Sequence, residues 1–443
     1  MRVLFGTDGI RGKAHEYPLD RLTMWRLGFA LAKRLGGNPV ILLGRDTRES
    51  GPEIAGALAR GIQDGGGQPR IVGVIPTPGI AYLCRMTDAV AAISISASHN
   101  PWQDNGVKIF GHDGMKIPDL VEEELEGSLD RAQFDGVLTM WELDTEESEL
   151  IERYERFLLS SVKTDALRGR RVVIDAGNGA SYRIAPEVFR RAGAEVTVIN
   201  DQPNGRNIND ASGAMHPEGL ARTVVERKAD FGVAFDGDAD RAIFADDAGK
   251  IRDGDEIIYL WAQHLRRENR LRSNRVVTTV MSNFGFERQL AADGIELLRA
   301  NVGDKYVLEL MLANDSVIGG EQSGHIIDLT VHTTGDGIHT ALVFGEILAG
   351  SDRPFSQMRT FDPMPQLLLN ERVASKPPLD SLPKYQAAAA RVTSELGERG
   401  RILVRYSGTE NLVRVMVEGE DEAQIRRIAQ ELRDILRDEI ALA

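Results

Sequence analysis

Ser98 opens a short polar run, Ser98-His99-Asn100-Pro101, directly after the small and β-branched stretch AAISISA, and Lys108 follows ten residues later. The stretch reads as a buried strand that ends where proline forbids its continuation. A hydroxyl is thereby presented at a strand's carboxyl end, the edge of an open α/β sheet at which ligands bind. A serine hydrolase is a poor match. A nucleophile elbow needs GxSxG, whereas this loop is SASHN, and a histidine adjacent in sequence does not face the hydroxyl as its base. Two readings of Ser98 stay open at this point: a covalent nucleophile, or a capping side chain closed onto a following amide.

The strand-like FGVAF delivers a second chemical group, Asp236-Gly237-Asp238-Ala239-Asp240-Arg241. Carboxylates at i, i+2 and i+4 with only Gly and Ala between them converge on one hard divalent cation when the chain is coiled as a loop. An EF-hand does not fit, because its sixth and twelfth positions would be Arg241 and Asp247 rather than Gly and Glu. A solvated acidic turn, or a strand-then-DxD aspartyl-phosphate nucleophile at Asp236, are the competing readings, and the latter explains neither the third carboxylate nor Ser98. A third loop, Gly320-Glu321-Gln322-Ser323-Gly324-His325, offers an acceptor and a donor two residues apart, as sugar hydroxyls require. A fourth has Arg405 and Arg414 flanking Ser407-Gly408-Thr409, guanidinium forks with hydroxyls and amides suited to a phosphate.

The elements around these loops repeat a rhythm. Val3–Phe5 leads into the glycine-rich turn Gly6 to Gly12 around Arg11, which brings a guanidinium to a ligand. A helix is expected at 19–35, a strand at 39–43 ending in Gly44-Arg45-Asp46-Thr47-Arg48, a helix at 52–64 and a strand at 70–74, a βαβ pattern that continues to Ser98. An acidic helical connector spans 142–160. A second unit starts at Arg171 with the strand stretch VVIDAGNGA, has further strands at 195–199 and 231–235, helices at 182–192 and 217–227, and the turn-rich loop DQPNGRNIND between them. A third has helices from 253 and 302 and strands at 276–280, 296–299 and 317–318. After prolines 354, 363 and 365 the rhythm changes to strand, helix, two strands and an amphipathic helix from Glu422, an α+β arrangement. The expected fold is therefore α/β: three similar mixed-sheet α/β domains (1–145, 153–250 and 253–360) and a C-terminal α+β domain (366–443).

Bulk properties narrow the partners. A chain of 443 residues exceeds one core and suggests three or four domains. A net charge of −14 argues against nucleic acid and requires any phosphate site to be a local concentration of cations. Cys84 is the only cysteine, which excludes an internal disulfide and a zinc cluster and fits a reducing compartment. No secretory leader pattern or membrane-spanning apolar run is present, so a cytoplasmic location is expected. No interface stripe assigns an oligomeric state. A hydroxyl, a metal loop, a polyol reader and a separate phosphate clamp together fit phosphoryl transfer through a phosphoserine.

The stretches FGTDGIRG, SASHNP, FDGDADR, VMSN, GEQSGH, TGDG and SGTE with RVMVEG after it make the chain resemble the α-D-phosphohexomutase superfamily along nearly its whole length. GEQSGH, VMSN and TGDG place it nearest the amino-sugar members. The resemblance implies that the four domains surround a central cleft. It further implies interconversion of glucosamine 6-phosphate and glucosamine 1-phosphate on the route to UDP-N-acetylglucosamine, with a glucosamine 1,6-bisphosphate intermediate. Phosphorylated Ser98 would be the phosphoryl carrier, Arg11, His99 and Lys108 would handle charge and protons, and Mg²⁺ would be held by Asp236, Asp238, Asp240 and a Ser98 phosphate oxygen. Arg241, Lys305, Glu321, Ser323 and His325 would bind the sugar phosphate, and Arg405, Ser407, Gly408, Thr409 and Arg414 the distal phosphate. Members acting on mannose or glucose phosphates, or a metal-dependent sugar phosphatase, are the alternatives. Ser96 stands where the family commonly has Thr and keeps the hydroxyl.

Overall fold

The structure, a computed structural model, describes residues 4–6, 8–129, 147–407 and 411–441. Thr7, Gly408, Thr409 and the first part of the expected connector, 142–146, lie outside the described residues.

Three sheets repeat one device. In the first, Ala91–Ile95 runs parallel to Val40–Arg45, which is parallel to Gln68–Val74, while Asp104–Gly111 returns antiparallel beside Ala91–Ile95. In the second, Arg171–Asp175 lies parallel to both Glu195–Ile199 and Phe231–Phe235, and Ala242–Asp246 returns antiparallel to the latter. In the third, Arg275–Thr279 is parallel to Ile318–Gly320, whose return strand is Ile326–Asp328. Parallel neighbours need long crossovers, but an antiparallel return needs only a short loop. Each return therefore pins a tight polar loop between two strands, and these three loops carry Ser98, the aspartate trio and Glu321 to His325.

The helices bury the sheets' faces. Arg21–Leu35 starts two residues later than the sequence suggests because Asp20 caps it, accepting from Thr23 N. It packs against Gly51–Asp64 at backbone contact: a Cβ on Gly28 would stand 2.3 Å from Leu58 O, and one on Gly61 2.0 Å from Trp25 O. Only glycine permits that approach. Gly337–Ala349, capped by Asp336 of the TGDG stretch, has no counterpart in the sequence reading, since most of its residues are buried and it lacks the polar face that marks a surface helix. Cys84 is fully buried, and burial with Asp113 nearby pushes its thiol up to about 12. Among the described residues no helix is long and apolar enough to cross a membrane.

The chain forms two compact units. The first runs to Thr279 and resumes at Leu298–Arg359; the second joins Val280–Leu297 to Thr360–Ala443. The second holds an antiparallel sheet of Gln366–Arg372, Leu412–Gly419 and Gly400–Tyr406 in that order, with helices Pro383–Leu396 and Glu422–Ile440. Val392, Val413, Val415, Val417, Ile428 and Leu432 form its core. The segment after Thr279 joins this unit through Asn283, whose Nδ2 donates to Met364 O at 3.1 Å and whose Oδ1 caps the helix Phe284–Ala292.

Candidate active site

Ser98 is 2% exposed and sits in the left-handed region at φ 51°, a conformation that a residue other than glycine keeps only when its surroundings over-determine it. Its Oγ donates to Asp236 Oδ2 at 2.6 Å, and His99 Nδ1 lies 3.4 Å away. The capping role falls instead to Ser96, whose Oγ accepts from Ser98 N at 2.9 Å and donates to Asp46 Oδ2 at 2.6 Å. Behind the loop Arg48 is wholly buried and ion-paired with Asp46 at 2.8 Å. Its guanidinium donates to the carbonyls of Ser98, Asn100, Pro101 and Asp104.

The strand Phe231–Phe235, buried throughout, ends at the aspartate loop. Asp236, Asp238 and Asp240 are 0%, 5% and 5% exposed, and each offers a carboxylate oxygen within 4.8 Å of the others. Burial and then the charge of Asp240 push Asp236 up to about 6, and burial with Asp240 and Asp236 lifts Asp238 well above the carboxylate range. Burial would also raise Asp240, but His325, Arg241 and Lys108 hold it well below. Asp238 Oδ2 accepts from Thr77 Oγ1 at 2.6 Å and Asp236 Oδ1 from Arg241 N at 3.1 Å, while Asp238 Oδ1 and Asp240 Oδ1 are buried with no hydrogen-bond donor. Crowded carboxylates with undonated oxygens, all oxygen donors and none soft, fit a hard divalent cation. Gly237 lets the two loops meet: a Cβ there would lie 2.6 Å from Ser98 O.

Cations ring this pair of loops. Arg11 Nη2 donates to Asp8 Oδ2 at 2.5 Å and its Nη1 reaches Ala97 O at 3.4 Å. Lys108, register partner of Ser94, places Nζ against Asp8 and 3.5 Å from Asp304 Oδ2. Although burial works against the ammonium, Asp8, Asp304 and Asp240 hold it protonated well above the ordinary lysine range. Burial, then Arg241 and Arg11, push His99 down to about 4. Arg241 Nε lies 3.8 Å from Asp240 Oδ1.

In the third loop Glu321 Oε1 accepts from Gly303 N at 3.2 Å and Oε2 from Ser323 Oγ at 3.3 Å, with Ser323 exposed. His325 is buried, with Nε2 facing the Gly335 amide at 3.1 Å and Nδ1 3.5 Å from Asp240 Oδ2; burial works against its charged form, but Asp240, Asp304 and Glu321 lift the imidazole to about 9. Both ring nitrogens are thereby committed to the protein. Lys305 pairs with Asp119 at 2.7 Å.

In the C-terminal unit Arg405 and Arg414 are direct cross-strand partners, and burial with Arg414 beside it pushes the Arg405 guanidinium down. Two like charges facing each other across a ladder are unfavourable without an anion. Lys376 Nζ adds a third cation, donating to the carbonyl of buried Ser407 at 2.8 Å. In the sequence Lys376, Asp8 and Asp304 carry no sign of a role, and Asp46 and Arg48 stand only at a strand's end. A run of charged residues directly after a buried strand is the only local sign of the last two.

A serine hydroxyl against a buried tricarboxylate cluster, on three repeated strand-return loops, suits an enzyme of phosphoryl transfer. The chain belongs to the phosphoglucomutase/phosphomannomutase family. Family models match as alpha/beta/alpha domain I at residues 2–136, domain II at 152–249, domain III at 253–363 and the C-terminal domain at 368–435. A phosphoglucosamine mutase of Solibacter usitatus is 47% identical over 99% of both chains, and one of Aeromonas hydrophila 45% identical over 97% of this chain and 98% of its own. Among solved structures, a phosphoglucomutase/phosphomannomutase family protein of Burkholderia thailandensis shares the fold with a TM-score of 0.82 at 24% identity, over 98% of this chain and 97% of its own. The N-acetylphosphoglucosamine mutase of Aspergillus fumigatus, solved with GlcNAc-6P and magnesium, shares it at 0.64 and 17% identity, over 99% and 96%.

Proposed function

We propose that the chain interconverts glucosamine 6-phosphate and glucosamine 1-phosphate through phosphorylated Ser98 and a glucosamine 1,6-bisphosphate, supplying the cytoplasmic route to UDP-N-acetylglucosamine. The observation that carries the reading is the hydrogen bond from Ser98 Oγ to Asp236, inside the aspartate trio. Eight relatives at 41–47% identity over 97–99% of this chain, each named phosphoglucosamine mutase, support the amino-sugar substrate. Asp236 has both oxygens engaged, by Ser98 and by the Arg241 amide, which supports serine rather than aspartate as the phosphoryl carrier.

In the forward step a hydroxyl oxygen of the sugar phosphate forms a bond to the phosphorus on Ser98 as the Oγ–P bond breaks, and the hydroxyl's proton ends on Oγ. An Oγ that carries this proton can donate it to Asp236, whose Oδ2 lies 2.6 Å away. Mg²⁺, held by Asp236, Asp238, Asp240 and a phosphoserine oxygen, would neutralise the transferring group. Lys108, kept charged by Asp8 and Asp304, and Arg11 present cations to the same oxygens. Glu321 and Ser323 meet sugar hydroxyls, Arg241, Lys305 and His325 complete that side of the site, and Arg405, Ser407, Gly408, Thr409, Arg414 and Lys376 bind the phosphate that is not reacting. The four-domain division at 1–145, 153–250, 253–360 and 366–443 belongs to the same reading.

The test is a comparison of specificity constants for glucosamine, mannose and glucose 6-phosphates. The reading expects the glucosamine value to be highest; a higher value for either neutral sugar transfers the chain to the other branch of its family.

A further inference from the structure

The loop DQPNGRNIND, from Asp201 to Asp210, reads from sequence as connecting turns, yet its end enters the site. Asn209 is 9% exposed and adopts the left-handed conformation, φ 58°. Its Nδ2 donates to Ser98 O at 2.9 Å and to Asn100 O at 3.1 Å. The same two carbonyls accept from Arg48 Nη2, each at 2.9 Å. The grips come from different sheets, since Arg48 follows the strand Val40–Arg45 and Asn209 lies in the loop after Glu195–Ile199.

That difference gives the two donors separate tasks. Arg48 holds the serine loop within its own sheet. Asn209 is tied by its own amide to Gly177 O at 2.9 Å, in the turn after Arg171–Asp175, and that strand pairs directly with Phe231–Phe235, which bears Asp236. With Ser96 Oγ accepting from Ser98 N, the backbone groups on both sides of the left-handed Ser98 are fixed while its Oγ donates to Asp236. A carboxamide suits the task because one NH₂ carries two donors, enough for two carbonyls two residues apart. An aspartate there would set acceptors against acceptors.

We infer that Asn209 is a positioning residue for phosphoryl transfer: its carboxamide registers the Ser98 loop on the aspartate-bearing sheet so that Oγ faces Asp236. The inference rests on the reading of Ser98 as phosphoryl carrier. Reacting groups displaced by a fraction of an ångström lose rate far more than they lose binding.

The experiment compares Asn209→Ala, Asn209→Asp, Ser98→Ala and a control, Trp25→Phe, which deletes a hydrogen bond to Asp64 in the same unit away from the site. Three quantities are read: kcat, the rate at which Ser98 takes label from glucosamine 1,6-bisphosphate, and the Kd of glucosamine 6-phosphate measured in a Ser98→Ala background. The inference expects kcat and labelling to fall at least tenfold in Asn209→Ala and further in Asn209→Asp, with Kd within twofold. The control keeps kcat within twofold. A kcat within twofold of the parent in Asn209→Ala overturns it, as does a loss carried wholly by Kd. Should Asn209→Asp not fold, Asn209→Ala decides alone, because Arg48 still holds both carbonyls in that variant. Turnover surviving in Ser98→Ala would overturn the phosphoserine reading itself; an inert Ser98→Ala beside an unimpaired Asn209→Ala overturns only the positioning role.

Discussion

Ser98 Oγ and Asp236 Oδ2 lie 2.6 Å apart although 138 residues separate them in the chain, each at the end of a buried strand in a different sheet. The contact exists because both strands return on themselves directly after the reactive residue, so neither loop can drift. The consequences below follow from that geometry.

The aspartate trio is a site built against folding stability. Three carboxylates within 4.8 Å, two with an oxygen lacking any donor, repel one another until a cation is bound. Asp238→Asn keeps an acceptor for Thr77 and removes the cost of burying, or of protonating, a carboxylate beside two others, so in the presence of EDTA it is expected to be more stable than the parent, by about 1–3 kcal/mol. Added Mg²⁺ should raise the parent's melting temperature and leave the variant's nearly unchanged, while mutase activity falls at least a hundredfold. Thermal melts with and without metal check both halves, and an EDTA-treated variant less stable than the parent would contradict the repulsion.

Gly237 is the point at which the two loops touch. A methyl group there meets Ser98 O at 2.6 Å and Ile208 Cδ1 at 2.7 Å, and the first is backbone that Arg48 and Asn209 hold in place. Gly237→Ala is expected to cost about 1–3 kcal/mol and to lower kcat more than tenfold by forcing Ser98 away from Asp236. Urea unfolding together with steady-state assays reads both, and a variant with unchanged kcat would show that the contact is not needed.

His332, far in sequence from these loops, gives the fold an acid sensitivity. Burial, against only a partial offset from the Pro78 carbonyl, pushes its imidazole down to about 3, with His339 and Arg85 acting in the same direction. The sign follows from linkage: the unfolded chain takes up a proton near pH 6.5 and the folded chain does not, so stability present above that pH is lost as pH falls. Between pH 7 and pH 5 this group alone removes about 2 kcal/mol. His332→Gln should flatten that part of the pH dependence in urea melts; an unchanged slope would assign the sensitivity elsewhere.

How much of this was legible beforehand differs by element. The four loops are readable because each puts polar residues directly after an apolar strand, a local signal. The parallel strands follow from periodicity, whereas the three antiparallel return strands, Asp104–Gly111, Ala242–Asp246 and Ile326–Asp328, and the helix Phe284–Ala292 have no counterpart in the sequence reading, because strands buried on both faces lose the alternation that marks them. The helix Gly337–Ala349 was missed because burial on nearly every side erases that periodicity. The roles of Arg48 and Asn209 are not legible in sequence because the carbonyls they hold are 50 to 56 and 109 to 111 residues away, which no spacing rule reveals. His325 stood in a sugar-type motif, whereas the structure turns its ring towards Asp240 and the Gly335 amide. Local sequence displays which groups a loop carries; which way each faces is decided by the neighbouring sheet.

The central claim is that Ser98 lends and recovers a phosphoryl group. Intact-protein mass spectrometry with site mapping, followed by a chase with glucosamine 6-phosphate, tests it most directly. The account predicts one phosphate, on Ser98, that passes into glucosamine 1,6-bisphosphate at least as fast as the enzyme turns over. A phosphate found on Asp236, or one on Ser98 that stays in place while turnover proceeds, would contradict it.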